Sequence, residues 1–141
     1  MDSEILSHHS ALVYLMVTMS AADSDMSDSE LETMTQLVNH LPVFRDYDSS
    51  RVMQAGQVCA DLLAEEEGID TVLGLVAQAL PPSLRETAYA IACQVAVSDG
   101  RLSQEELRLL EMIRHELGVE RLAGAAIERG VAALYRASPE D

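Results

Sequence analysis

The chain has 141 residues, 48% of them apolar and 23% charged, the balance of one soluble globular domain long enough to bury a core. Its formal net charge is −15 and all its basic residues are Arg, so it repels nucleic acid and anionic membrane surfaces and attracts cations and basic protein surfaces. With one Phe, four Tyr and no Trp, the core falls to Leu, Val, Ile, Met and Ala, a set that suits closely packed helices.

The N-terminus "MDSEILSHHS" is acidic and lacks the basic start of a secretory signal. Ile5, Leu6, Leu12, Val13, Leu15, Met16, Val17 and Met19 leave the first predicted helix almost no polar face, which marks it as buried. Its longest apolar run, Ala11–Met19, is too short to span a bilayer. His8 and His9 point to different sides of that helix without a ligand-spaced companion, and read as surface or packing residues.

The acidic turn "ADSDMSDSELE" (22–32) follows, then an amphipathic helix with Leu31, Met34, Leu37, Val38 and Leu41 at helical spacing. After the acidic connector "FRDYD" (44–48), Ser49 or Ser50 caps a third helix that runs to "AEEEG", where Gly68 supplies a stop. Asp70 starts a short fourth helix through Leu80, and Pro81-Pro82 end it.

Ser83 opens a second unit. "TAYAIACQVAV" (87–97) is a fifth, small-residue apolar helix, followed by the turn "SDGRLSQEELR" (98–108). Leu107, Leu110, Ile113 and Leu117 then define a sixth, amphipathic helix closed by Gly118. A seventh helix, about 119 to 136, exposes Ala125, Ala126 and Ala132 as a smooth contact face, and residues 137–141 are a tail. Cys59 and Cys93 are far apart among apolar or small neighbours, which fits buried thiols in a reducing cytoplasm.

The two units superimpose at an offset of 76 residues (99 minus 23), matching 11–41 to 87–117 through the pattern Asp-x-x-(Met/Leu)-Ser-x-x-Glu-Leu. The expected fold is therefore all-α, a single domain over 1–141 with seven helices and two pseudo-symmetric helical hairpins.

Two physical accounts compete for the repeated turn. In the first, Ser27 with Glu30 and Ser103 with Glu106 are capping boxes, each contributing about 1 kcal/mol, with Met26 and Leu102 as hydrophobic staples. That accounts for Ser and Glu and leaves the recurrence of Asp23 and Asp99 unexplained. The second account is a cation site. An orthodox EF-hand is excluded, because Glu106 in the last loop position puts Val95 and Val97 where oxygen ligands belong. Two half-loops that meet would still bring Asp23, Asp25 and Glu30 towards Asp99 and Glu106. Such hard oxygens suit Ca²⁺, Mg²⁺ or Mn²⁺.

"ALVYLMVTMSAADSDMSDSELETM" with "LPVF", and "AYAIACQVAVSDGRLSQEELRLL", resemble the TerB-like family named for tellurite resistance, over roughly residues 5 to 123. The turn also resembles one in the N-terminal domain of membrane-anchored DnaJ-like co-chaperones. The resemblance implies the duplicated helical fold, and Asp23, Glu30, Asp99 and Glu106 as acidic positions facing a divalent cation or a partner. In the first turn Ser24 stands where the second has Gly100.

No phosphate loop, zinc motif or Ser-His-Asp set is present, and no cleft for paired-carboxylate hydrolysis is legible. The function expected is a non-enzymatic, cation-responsive interaction module, cytoplasmic, with a protein partner or a second copy and no membrane insertion. The alternative is a helical scaffold or dimerisation module whose turns are only caps.

Overall fold

The computed structural model describes residues 6–22, 28–98, 100 and 102–139. Among these there are seven α-helices and no strand: α1 (His8–Ser20), α2 (Asp28–His40), α3 (Arg51–Leu63), α4 (Gly68–Ala79), α5 (Arg85–Val97), α6 (Gln104–Leu117) and α7 (Arg121–Leu134).

The two apolar helices form the centre. In α1, Ala11 to Met16 and Thr18 to Ser20 are all buried, and α5 packs against it with its own buried row from Ala88 to Ala96. A helix without a polar face is stable only when other elements surround it. Accordingly α3 and α4 cover α1, α7 and α2 cover α5, and α6 touches both. The few polar groups in α1 are satisfied locally. Ser7 caps it by accepting the Ser10 N–H at 3.0 Å, and the buried Thr18 hydroxyl donates to Tyr14 O at 2.8 Å.

His9 has a packing role. Its Nε2 donates to Val43 O at 2.8 Å, and its ring lies against Tyr47 and Phe44, so it fastens the 3₁₀ turn Pro42–Phe44 to α1. His40, at the end of α2, donates from Nδ1 to Gln36 O at 2.9 Å and satisfies a carbonyl of the last turn. At the start of α3, Ser50 occupies the cap position without capping. Its N–H and hydroxyl both donate to Asp48 Oδ1, at 3.0 and 2.7 Å.

Two further expectations change. Gly68 does not stop α3: that helix ends at Leu63, and Gly68 is the first residue of α4, two positions before Asp70. The left-handed backbone belongs to Glu67 (φ 58°), and Gly68 is required by space, since a Cβ there would lie 2.6 Å from Leu63 O. The amphipathic stripes of α2 and α6 hold at Met34, Leu37 and Val38 and at Leu110, Ile113 and Leu117, but not at their first leucine. Leu31 and Leu107 are 46% and 45% exposed, whereas Glu30 and Glu106 are each 1% exposed. The same inversion occurs in both helices.

Gly68→Ala should lower the unfolding free energy by about 1–3 kcal/mol through this backbone clash. Gly74→Ala, a helical site with nothing within 4 Å of the added Cβ, should raise it by about 0.4–1 kcal/mol. Urea denaturation of the two variants checks both signs. Leu122→Gln, at a position 82% exposed, should stay within about 0.5 kcal/mol of the parent, while Leu110→Ala should cost about 2–5 kcal/mol.

Candidate functional site

The second acidic turn begins where α5 runs out. Ser98 Oγ donates to Val95 O at 2.8 Å, and the Gly100 N–H donates to Val97 O at 2.9 Å with Gly100 at φ 81°. That left-handed backbone suits glycine. Ser103, in extended backbone, then starts α6 with both bonds of a capping box. Its Oγ accepts the Glu106 N–H at 3.0 Å, and Glu106 Oε1 accepts the Ser103 N–H at 2.9 Å. Leu102 and Leu107, the residues before the cap and four after it, line one cavity wall, the arrangement of a hydrophobic staple.

In the first repeat Glu30 is the third residue of α2, as Glu106 is of α6, and is buried to the same degree. Asp23, Asp25, Met26, Ser27 and Asp99 lie outside the described residues, so the first cap and three of the five expected cation ligands have no described geometry. Among the described residues, no group of three or more His, Cys, Asp or Glu side chains is placed to hold a metal ion. The chemistry of the five-carboxylate set fits a hard divalent cation. The described part of that set is the buried pair, Glu30 and Glu106.

One feature of the described chain bears on whether the turns approach each other. Ala22, the residue before Asp23, lines a cavity of about 260 Å³ with Gln104 and Glu105 from the first turn of α6. The end of α1 therefore faces the start of α6, and α2 packs on α5.

A larger cleft was not legible in the sequence. Between α5, α6 and α7 lies a cavity of about 500 Å³, with Tyr89, Cys93 and Val97 as its floor. Tyr89 OH donates to Glu128 Oε2 at 2.5 Å. Burial pushes the Tyr89 hydroxyl well above the usual tyrosine value, and the bond to Glu128 adds to that. Burial likewise pushes the Cys93 thiol up to about 12, with the Glu128 charge contributing, and the Cys59 thiol, beside Thr18, up to about 11. Both cysteines are buried and unpaired with each other, as expected. The one available signal for the cleft was the pair of Tyr89 and Glu128, each a polar interruption in a small-residue helix.

The raised thiols set an alkaline limit. Their protonated forms are favoured in the folded chain, so this stability is intact below about pH 9 and is lost as pH rises towards about 11 and 12. Urea midpoints should be level from pH 8 to about 9 and then fall up to pH 11 by the equivalent of about 1 kcal/mol per pH unit for each thiol. The slope should be smaller in Cys93→Ala.

The family model described as tellurite resistance protein TerB matches residues 9–128. No curated protein and no solved structure matches the chain.

Proposed function

Because the chain belongs to the TerB family, we propose that it is a non-enzymatic interaction domain of a tellurite-resistance or stress-response system whose acidic turns take up Ca²⁺, Mg²⁺ or Mn²⁺. The ligands in this reading are Asp23, Asp25 and Glu30 from one repeat and Asp99 and Glu106 from the other. The observation that supports it most is the cavity shared by Ala22 and Glu105, which sets the root of the first turn against the helix that the second turn starts. Carboxylates drawn together on a chain of net charge −15 raise one another's energy, and a divalent cation between them relieves that repulsion. The likeness of the turn to that of DnaJ-like co-chaperones favours a protein as the partner.

The complete capping box at Ser103 and Glu106 favours a second reading, in which the turns only start helices and the domain is a scaffold or dimerisation module. The exposed Ala125, Ala126 and Ala132 on α7 would then form the contact face.

The two readings separate in a thermal melt. Under the cation reading, saturation with Ca²⁺, Mg²⁺ or Mn²⁺ at 100 times the dissociation constant adds about 2.7 kcal/mol of stability. That increment disappears in Asp99→Asn with Glu106→Gln, each protein being compared with itself in chelator. No shift with any of the three ions, or a shift that survives the double substitution, leaves the scaffold reading. Sedimentation showing only monomer at high concentration would remove its dimerisation form.

A further inference from the structure

Helices α6 and α7 both pack on α5 but barely touch each other. At their shared corner they are tied: Arg114 Nη1 donates to Val119 O at 2.9 Å, and Gly124 sits so close to Arg114 that a Cβ would lie 2.8 Å from its Cδ. Beyond that corner the two helices enclose the 500 Å³ cavity. Its floor residues Tyr89, Cys93 and Val97 recur every fourth position, a stripe of about 12 Å at the rise of an α-helix. Its walls are aliphatic, from Leu107 and Leu110 on one side and Val131 and Ala132 on the other. At the rim Leu102 and Leu107 leave large fractions of their surface in water.

An apolar groove two helical turns long, flanked by helices, is the shape that receives an amphipathic helix. Charge selects among such helices. Glu111 and Glu128 border the groove, and Arg114, the single basic lining residue among the described residues, already spends a donor on the Val119 carbonyl at the closed end. A second copy of this chain would bring its own net charge of −15 to the same place.

We infer that the α5–α6–α7 groove is a docking site for a basic amphipathic helix of a partner protein. The occupant inserts two apolar side chains one turn apart over Cys93 and Val97, and sets Lys or Arg beside Glu111 and Glu128. This deepens the interaction-domain reading and is independent of its cation component.

The test uses the whole chain in chelator and three fluorescein-labelled 14-residue peptides, followed by anisotropy. The first has Leu at positions i, i+4 and i+7 in a Lys/Ala background. The second has the same composition scrambled to remove the stripe, and the third keeps the stripe with Glu for Lys. The first should bind at least tenfold more tightly than either control. Leu107→Lys and Ala132→Lys, both at exposed positions lining the groove, should each weaken it tenfold or more. Leu122→Lys, which makes the same charge change at an exposed site that does not line the groove, should leave it unchanged.

Amide shifts on adding the first peptide should concentrate on α5, α6 and α7, which keeps the test valid if a variant fails to fold. Equal binding of the scrambled peptide, equal losses from all three Lys variants, or no binding of the first peptide would overturn the groove. A protein that binds the peptide but gives no cation-induced melting shift retains the groove and loses the metal. The converse loses the groove alone.

Discussion

Two helices that cannot face water dictate the rest of the molecule. α1 and α5 have no side on which polar residues collect, so each is tolerable only if every side is covered. Packing them on each other covers one side of each, and the remaining helices are distributed over what is left. The shortage of aromatic residues makes this possible. The α5 sequence is rich in Ala, which lets α7 approach closely, and Gly124 brings the neighbouring chain still nearer.

The amphipathic helices follow from the same constraint, with one inversion. A period-based reading puts Leu31 and Leu107 in the core, because leucine is the residue that gains most by burial. Both instead lie half-exposed, and the neighbouring glutamates are buried. The capping box supplies the physical reason at α6. A glutamate whose oxygen accepts the N–H of the cap residue must turn back along the helix towards the start of the chain, into the junction with the central helices. Once its direction is set by that hydrogen bond, the next residue is rotated about 100° away and faces outwards. At α6 a local polar interaction has thus overridden a hydrophobic preference, and the equivalent residue of α2, Glu30, is buried to the same degree.

The same distinction separates what was readable in the sequence from what was not. Helix number, the burial of α1 and α5 and the cap at Ser103 all rest on patterns local to a few turns, and these were legible. Ser49 or Ser50 as a cap, Gly68 as a stop and Leu31 as a core residue each rested on one favoured role for a residue type, where a neighbour decided the outcome. Asp48 takes the Ser50 hydroxyl, the backbone of Leu63 leaves room only for glycine at position 68, and Glu30 displaces Leu31. The cleft was invisible for a further reason. It is bounded by residues from three helices over more than forty positions, and no local spacing records that α6 and α7 stand apart.

The groove borders both ends of the second acidic turn. Val97 is the last residue of α5 and Leu102 immediately precedes the cap of α6, and both line the groove. The turn therefore joins two lining residues, with the Gly100 N–H to Val97 carbonyl bond at one end and the Ser103–Glu106 cap at the other. Whatever holds that turn in one geometry, a cation or the cap alone, also fixes the position of Leu102 at the rim. A cation at the turn would act on a docked helix through Leu102, by setting the shape of its apolar seat. It would also act directly, by neutralising carboxylates near a surface that attracts basic residues. These effects oppose each other: ordering the seat strengthens docking, and losing negative charge weakens it. Their balance depends on salt, because screening removes the second effect and leaves the first.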